Sequence, residues 1–298
     1  MSEESRFLLL LISNGALIGL MYSLIALGFV LVYKATDAVN FAQGEFVMFA
    51  GLVAVGALGV AGAPLWLAVT LSLGGMVALG FALERVMLRR LIGRPVIAVV
   101  MATIGLASIL RGIGPYSVGA GTKPLPLPIS DEPVVWGPLF IPPIQLVGGA
   151  VSLAFLAGFG WFFLKSRKGV AMRAVADNQQ VAMAMGINVE RYFGLAWAMT
   201  GMVSALGGVL WGNMLGVDVN LSLVGFKVFP VVILGGLDSI PGAVVGGLIV
   251  GIVESIAAGY IDPYVGGGTK DFAPYVLMIV ALMIRPYGIF GKPMIERV

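Results

Sequence analysis

KSRKGVAMRAVADNQQVAMAMGINVER, residues 165–191, is the one long charged passage in an otherwise apolar chain. Basic side chains stand towards both of its ends, so the passage is not expected to cross a bilayer. We expect it to lie at the cytoplasmic face of a membrane, between two membrane spans. It therefore separates the spans that precede it from those that follow, and we call it the charged segment.

The middle of the charged segment carries the signals of a short, capped helix. Asp177, with Gln180 three residues later, fits a capping box, and Gly186 stands where a C-terminal cap needs positive φ. These signals predict a helix of about two turns from Asn178 to Met185, and Asn188 is expected to cap the next helix. The apolar, pliable surface of the short helix would consist of Val181, Ala182, Met183 and Met185. Such a surface suits either docking of a soluble partner or contact with lipid headgroups.

Composition places the chain in a bilayer. Of its 298 residues 59% are hydrophobic and 11% are charged, and the mean hydropathy is +1.01. This leaves too little polar surface to cover a soluble globule. The net charge of +3 is small and gives no case for nucleic acid binding. The absence of cysteine and histidine removes thiol chemistry, imidazole catalysis and the usual zinc sites, so no metal site is predicted.

Apolar runs predict the number of crossings. A transmembrane helix needs about 20 largely apolar residues, which predicts an all-α polytopic membrane protein with about 8 to 9 transmembrane helices. We expect one transmembrane domain over residues 1–298, with the charged segment as its cytoplasmic part. The candidate spans are residues 8–33, 41–60, 65–83, 96–114, 142–164, 189–212, 221–237, 241–258 and 272–284. The second and seventh are interrupted by charge, glycine or proline, as broken helices are.

Basic loops predict the orientation of these spans. Arginines and lysines cluster in three places, which we expect on the cytoplasmic side. The clusters are Arg85, Arg89, Arg90 and Arg94; the basic residues of the charged segment; and Arg285, Lys292 and Arg297. Residues 115–143 are rich in proline and hold Lys123 as their only base, so we expect a stiff, irregular loop outside.

Four charges stand out within or beside apolar runs, where the bilayer makes them costly and a functional role is the default hypothesis. They are Glu45, Lys227, Asp238 and Glu254. The stretches VNFAQGEFVMFAG (39–51) and VGFKVFPVVILGG (224–236) loosely resemble each other and suit paired broken helices around a central site. One interpretation places Glu45 and Lys227 on a translocation path as an ion pair. The alternative is that each charge caps a helix or reaches the membrane surface.

The remaining two charges have simpler interpretations. We expect Asp238 to cap the helix entered at Pro241, and Glu254 to lie near the outer surface. The chain contains no Walker lysine motif, and no catalytic serine arrangement or paired-carboxylate geometry is recognisable in it. Chemistry on a covalent bond is therefore not expected, no catalytic residue is predicted, and energy must come from a partner or a gradient.

Several motifs together resemble one known family. They are MYSLIALGFVLVY (21–33), VNFAQGEFVMFAG (39–51), KGVAMRAVADNQQVAMAMGINVER (168–191), FKVFPVVILGGLDSIPGAVVGGLIVGIVES (226–255) and RPYGIFGKP (285–293). Their order and spacing resemble the LivH-type permease subunits of ABC importers for branched-chain amino acids. The likeness runs from about Asn14 to Lys292. Relatives of the same permease class carry urea and short amides, and this substrate class stays open.

The resemblance implies partners and site residues. Such a permease works in the bacterial inner membrane with a LivM-type permease, two ABC ATPase subunits and an extracytoplasmic substrate-binding protein. ATP is used by the ATPases, and the permease itself binds no cofactor. The implied ATPase-coupling residues are Asp177, Gln180, Val181, Met183, Met185 and Gly186. The chain departs from the family at two positions, where the family commonly has histidine in place of Gln43 and glycine in place of Asp238. Both positions lie near the expected substrate path, whose residues we take to be Gln43, Glu45, Lys227 and Asp238. A transporter or channel that works without an ATPase is the alternative from another class.

Overall fold

The computed structural model describes residues 2–59, 62–119, 121–137 and 139–291, so Lys292 and Arg297 of the basic tail lie outside the described residues. Nearly all of the regular structure is helical. The α-helices are α1 (Glu3–Thr36), α2 (Gln43–Gly59), α3 (Leu65–Val86), α4 (Val96–Val118), α5 (Pro143–Lys165), α6 (Arg167–Asp177), α7 (Gln179–Ala184), α8 (Val189–Leu215), α9 (Leu223–Gly235), α10 (Ile240–Tyr260), α11 (Asp262–Val265) and α12 (Thr269–Ile284). Two 3-10 helices, Leu88–Leu91 and Val219–Ser222, precede α4 and α9.

Six of the described helices are long and apolar enough to cross a membrane. They are α1, α3 with its 3-10 extension, α4, α5, α8 and α10. The chain is therefore a helical, multi-pass membrane protein. Helices α2 and α9 are apolar but have only 17 and 13 residues, less than a full span needs. The prediction of broken helices at these two places agrees with these lengths, whereas a total of eight to nine crossings stays a prediction.

The loop predicted to be irregular contains a small β-hairpin. Strand β1 (Val134–Trp136) pairs antiparallel with β2 (Leu139–Ile141), and Val134 lies opposite Ile141. Valine, isoleucine and aromatic residues favour strands, and this preference prevails in a stretch between the prolines. The prediction of irregular structure was thus wrong for this part of the loop.

Contacts divide the chain into two compact units, which we describe separately. Unit 1 comprises Met1–Ala26, Pro128–Leu156 and Phe226–Val298, and unit 2 comprises Leu27–Leu127 and Ala157–Gly225. The division falls within α1, α5 and α9, each of which is a continuous helix. The prediction of a single permease domain over residues 1–298 stays a prediction.

Unit 2 is built around the buried helix α8. Its Trp197 is fully buried and meets Phe46 of α2 edge to face, with ring centroids 6.0 Å apart. Helix α3 packs against both α8 and α2, and its buried Ser72 donates a hydrogen bond to the carbonyl oxygen of Ala50 at 2.8 Å. This bond satisfies a hydroxyl that would be costly to leave unpaired in a bilayer. Helices α3 and α8 therefore fix the position of α2.

Glycines let two helices of unit 1, α1 and α10, pack closely. A Cβ atom added to Gly15 of α1 would come within 2.7 Å of the carbonyl oxygen of Gly251 in α10. One turn on, a Cβ atom on Gly19 would lie 2.5 Å from the carbonyl oxygen of Gly247. The backbones of α1 and α10 therefore approach closely, as small residues allow in membrane helices.

Candidate functional site

Most of the charged segment folds into two helices, α6 and α7, of which the sequence predicted only the second. Helix α6 begins after Ser166, whose hydroxyl accepts a hydrogen bond from the amide of Gly169 at 2.9 Å. It runs through to Asp177, so Asp177 closes α6 and is not the N-cap of the next helix. The N-cap of α7 is Asn178, whose side-chain oxygen accepts from the amide of Val181 at 2.9 Å. The predicted capping box of Asp177 and Gln180 was therefore wrong by one residue.

The C-terminal end of α7 agrees with the prediction. Gly186 adopts a φ of +78° directly after the cap residue Met185. Its amide donates to the carbonyl oxygen of Met183 at 2.9 Å, and the amide of Ile187 donates to that of Ala182 at 3.0 Å. These two bonds form a Schellman motif, which only a residue that tolerates positive φ closes at low cost. Asn188 then caps α8 through the amide of Arg191, as predicted.

Three of the four apolar side chains predicted on the surface of α7 are exposed to solvent. Val181, Met183 and Met185 are exposed, and Met185 has 77% of its surface open to solvent. Ala182 is buried, so its predicted exposure was wrong. Val181 and Met185 are four positions apart and share one face of the helix, while Met183 extends the exposed apolar surface around it. We call Val181, Met183 and Met185 the α7 ridge.

Helix α7 is also tied to the end of α1. The side-chain amide nitrogen of Gln179 donates a hydrogen bond to the carbonyl oxygen of Ala35 at 3.1 Å. Ala35 lies in the last turn of α1, where carbonyl groups lack partners within the helix. The α7 ridge is therefore attached to a helix that continues into the membrane-spanning part of the chain.

Gln43 and Glu45 share the first turn of α2, but only Glu45 bonds to a charged group. Gln43 is fully buried, and its amide nitrogen donates to the hydroxyl of Ser204 at 3.0 Å. Its carbonyl oxygen accepts from the side-chain nitrogen of Asn40 at 3.3 Å. Gln43 therefore lies in the packed interior of unit 2, where both ends of its amide are satisfied.

Glu45 forms an ion pair with Arg111 of α4. Nη2 of Arg111 lies 2.5 Å from Oε1 of Glu45 and 3.3 Å from the hydroxyl of Ser222. The Glu45 side chain is 3% exposed, whereas that of Arg111 is 45% exposed. A carboxylate in the first turn of a helix is further stabilised by the helix dipole. The buried charge of Glu45 is thus matched, and the cation that matches it reaches the surface of unit 2.

The two short helices meet beside this ion pair. The N-terminal turns of α2 and α9 cross so closely that a Cβ atom on Gly225 would lie 2.7 Å from the backbone nitrogen of Gly44. A Cβ atom on Gly44 would in turn lie 3.3 Å from the Cα atom of Gly225. Only glycine at both positions permits this crossing. Both helices point the positive ends of their dipoles at it, as half-helices do at the binding sites of transporters.

Asp218 fixes the 3-10 helix that leads to Ser222. Its carboxylate accepts hydrogen bonds from the hydroxyl of Thr122 at 2.7 Å and from the amide of Asn220 at 2.8 Å. Partial burial acts to raise the pKa of Asp218, but these hydrogen bonds outweigh it and the pKa is lowered. The carboxylate therefore stays ionised and keeps its cap at neutral pH.

Lys227 belongs to a separate cluster in unit 1. Its Nζ atom lies 2.6 Å from Oδ1 of Asp271 in α12 and 3.5 Å from Oε1 of Glu254 in α10. Glu45 and Lys227 each have an ion-pair partner within their own unit, so the predicted pair between them was wrong. The lysine joins three helices of unit 1, and the pathway role predicted for it stays a prediction.

Asp238 lies in the turn between α9 and α10. The N-cap of α10 is the next residue, Ser239, whose hydroxyl accepts from the amide of Gly242 at 3.0 Å. The prediction that Asp238 caps this helix was therefore wrong by one residue. Pro241 does stand in the first turn of α10, where its missing amide proton costs nothing.

Sequence reasoning missed Arg111, the partner of Glu45. Arg111 falls inside the candidate span 96–114, so it carries the same signal of a charge in an apolar run. A search for every charged residue within the candidate spans would have found it. The pairing itself joins residues 66 positions apart and needed the fold.

Comparisons with known proteins match the chain to one family of permeases. The model of the family described as branched-chain amino acid transport system, permease component, matches residues 11–284. The chain is 32% identical over 313 aligned positions to the high-affinity branched-chain amino acid transport system permease protein LivH of Escherichia coli K12, with all of both chains covered. It is 31% identical to the corresponding permease protein BraD of Pseudomonas aeruginosa, with 96% of each chain covered.

A solved structure supports the fold alone. The chain in the structure of PsaBC from Streptococcus pneumoniae with a Fab superposes with a TM-score of 0.53 at 13% sequence identity, and 92% of each chain is covered. Identity at this level carries no information about what is transported. The family model and the full-length relatives do establish a family: the chain belongs to the permease components of branched-chain amino acid transport systems.

Proposed function

We propose that this chain is the permease subunit of an ABC importer that moves branched-chain amino acids across the bacterial inner membrane. The observation that carries the proposal is the full-length likeness to LivH and BraD, both named as high-affinity branched-chain amino acid permeases. The partners we propose are two ABC ATPase subunits, a second permease of the LivM type and an extracytoplasmic binding protein. ATP is used by the ATPase subunits, and this chain holds no cofactor.

The ATPase docks, in this proposal, on the α7 ridge. Val181, Met183 and Met185 are exposed on a helix whose ends are fixed by local caps. The residues that flank the ridge are also exposed: Asp177, Gln180 and Gly186. Exposed methionines adapt their shape to a partner surface. The bond from Gln179 to Ala35 then passes a displacement of α7 to the end of α1. The charged segment lies on the cytoplasmic side in this arrangement.

The substrate path, in this proposal, passes the crossing of α2 and α9. Of the residues expected on the path, Glu45 borders this crossing and has a partner that reaches the surface. Gln43, which is buried in the interior of unit 2, helps to fix the first turn of α2 at this crossing through its hydrogen bond to Ser204. The contacts of Lys227 favour a structural role in unit 1, and those of the α9–α10 turn place Asp238 beside the cap of α10.

Reconstitution tests the proposed function directly. The complete transporter, with both permeases, both ATPases and the binding protein, is placed in proteoliposomes, and uptake of labelled leucine is measured with and without ATP. We expect uptake only when ATP and all subunits are present. Leucine uptake that persists without the ATPase subunits would show that the chain works alone as a secondary transporter or channel. Efficient competition by unlabelled urea, rather than by isoleucine or valine, would favour the urea and amide class.

Acidic substitutions test whether the ATPase docks on the α7 ridge. Met183→Asp combined with Met185→Asp places two carboxylates on the ridge, which would have to be desolvated on docking. We expect co-purification of the ATPase subunits to fall by about 10-fold or more. The matched control is Val170→Asp, which puts a carboxylate on an exposed apolar position of the neighbouring helix α6. Equal ATPase recovery from both variants would show that the ridge is not the docking surface.

A further inference from the structure

Arg111 is a charged residue exposed within a membrane span. Helix α4 ends at Val118, seven residues later, which places the Cα atom of Arg111 about 10 Å from the end of the helix. Its side chain is 45% exposed on the surface of unit 2. Arginine at such a depth normally faces a water-filled cavity or another protein surface, because hydrocarbon cannot solvate its charge.

The exposure of Arg111 is not explained by its side chain extending to the membrane surface. Long basic side chains near helix ends usually turn their head group towards the interface. Here the guanidinium instead bonds to neighbouring helices. Its Nη2 atom lies 2.5 Å from Oε1 of Glu45 and 3.3 Å from the hydroxyl of Ser222. The exposed part of the side chain therefore lies at the level of the α2–α9 crossing, where Gly44 and Gly225 meet.

The guanidinium keeps donors for another ligand. Within the part of the chain that the structure describes, the bonds to Glu45 and Ser222 are both made through Nη2. Nε and Nη1 then carry three further N–H groups, each of which can donate a charge-assisted hydrogen bond to a carboxylate oxygen. The positive ends of the α2 and α9 dipoles add to the attraction for an anionic group.

We propose that Arg111 binds the α-carboxylate of the amino acid as it passes the crossing of α2 and α9, while Glu45 receives its ammonium group. The empty site is neutral because the two side chains pair with each other. When a zwitterion enters, each charge of the pair exchanges one partner for another, and the net charge of the site stays zero. Urea offers neither charge and gains nothing from this exchange. The inference rests on the proposed function and names its recognition residues.

The environment of Arg111 can be probed by thiol labelling, because the chain contains no cysteine. Ser108→Cys places a thiol on the exposed side of α4, one turn before Arg111, in the complete transporter. We expect membrane-impermeant methanethiosulfonates to label it, and the anionic reagent to react about 10-fold faster than the cationic one. Leu153→Cys, at an exposed apolar position in the middle of α5, is the control that should resist both reagents.

Two further measurements tie the labelling to Arg111. Adding Arg111→Gln to the Ser108→Cys variant should abolish the preference for the anionic reagent, whereas Arg111→Lys should retain most of it. Saturating leucine should slow labelling in the variant that keeps Arg111. Labelling as slow as at Leu153→Cys, or a charge preference that survives Arg111→Gln, would overturn the inference.

Measurements of leucine uptake distinguish a failure of this inference from a failure of the proposed function. Arg111→Gln should lower leucine uptake at least about 10-fold while subunit assembly is unchanged, and Arg111→Lys should restore part of it. If the wild-type transporter moves leucine and Arg111→Gln moves it equally well, the inference fails and the proposed function stands. If the wild-type transporter does not move leucine, the proposed function fails, and the inference as stated for an amino acid fails with it. A charge preference at Ser108→Cys would then show only that Arg111 faces water.

Discussion

The Glu45–Arg111 pair and the Lys227 cluster arise from the same signal in the sequence but differ in structure. In the first, the acid is 3% exposed and its cation is 45% exposed beside two helix N-termini. In the second, the lysine side chain is 26% exposed and lies between two carboxylates from two other helices. The guanidinium of Arg111 is therefore partly open to solvent at a helix crossing, whereas the ammonium group of Lys227 lies between two carboxylates.

This difference separates two uses of a charge inside a membrane. A cation that is satisfied by two carboxylates on neighbouring helices holds those helices together and has little capacity for a ligand. A cation that is satisfied on one side only can exchange partners. The variants below test whether the two regions differ in this way, from the largest expected effect to the smallest.

Replacing Gly225 by alanine should have the largest effect. The new Cβ atom would lie 2.7 Å from the backbone nitrogen of Gly44, so the crossing of α2 and α9 must open. Overpacking against backbone costs about 3 kcal/mol. We expect a clear loss of thermal stability in detergent and loss of leucine uptake. Gly74→Ala is the matched control, because a Cβ atom there meets nothing within 4 Å; equal stability of the two variants would contradict the close crossing.

Lys227→Met should destabilise unit 1 by about 2 kcal/mol. The change leaves Glu254 and Asp271 without their cation, and the cost is lower than for a fully buried pair because Lys227 is 26% exposed. Thermal unfolding of the purified chain measures the loss. Adding Glu254→Gln should recover part of it, since the uncompensated charge is removed. A Lys227→Met variant that is as stable as wild type but inactive in transport would instead place Lys227 on the substrate path.

Asp271→Asn should have the smallest effect. Its side chain is 62% exposed, and Lys227 keeps Glu254 as a partner in the variant. Exposed ion pairs contribute less than about 1 kcal/mol. We expect a small shift in the unfolding temperature and unchanged uptake of leucine. An effect as large as that of Lys227→Met would mean that Asp271 carries most of the pairing energy.

The sequence predicted the features that depend on local chemistry. Positive φ at Gly186 and the cap at Asn188 are set by neighbouring residues, and both predictions are confirmed. The N-cap of α7 was predicted at Asp177 because Gln180 stands three residues later, as in a capping box, but asparagine caps a helix as well as aspartate does. Only the length of α6, which continues through Asp177, decides in favour of Asn178. Local signals thus located the short helix but not its first residue.

Features that depend on long-range pairing could not be predicted. Composition and apolar runs were enough to predict a multi-pass helical protein, and the charges in those runs pointed to Glu45 and Lys227. Their partners are distant in sequence, 66 residues away for Glu45 and 44 for the closer carboxylate of Lys227, Asp271. Pairing across such distances is decided by helix packing, which hydrophobic periodicity does not specify. The glycine crossing of α2 and α9 was hidden for the same reason.

The capping of α7 has a consequence for any protein that docks on it. A helix of six residues is far too short to persist in water by itself, yet both of its ends are closed before a partner arrives. The conformational entropy of this helix is therefore already lost in the free permease, and binding does not have to supply it. A protein that docks on α7 would therefore meet a preformed helix, and none of its binding free energy would be needed to order that helix.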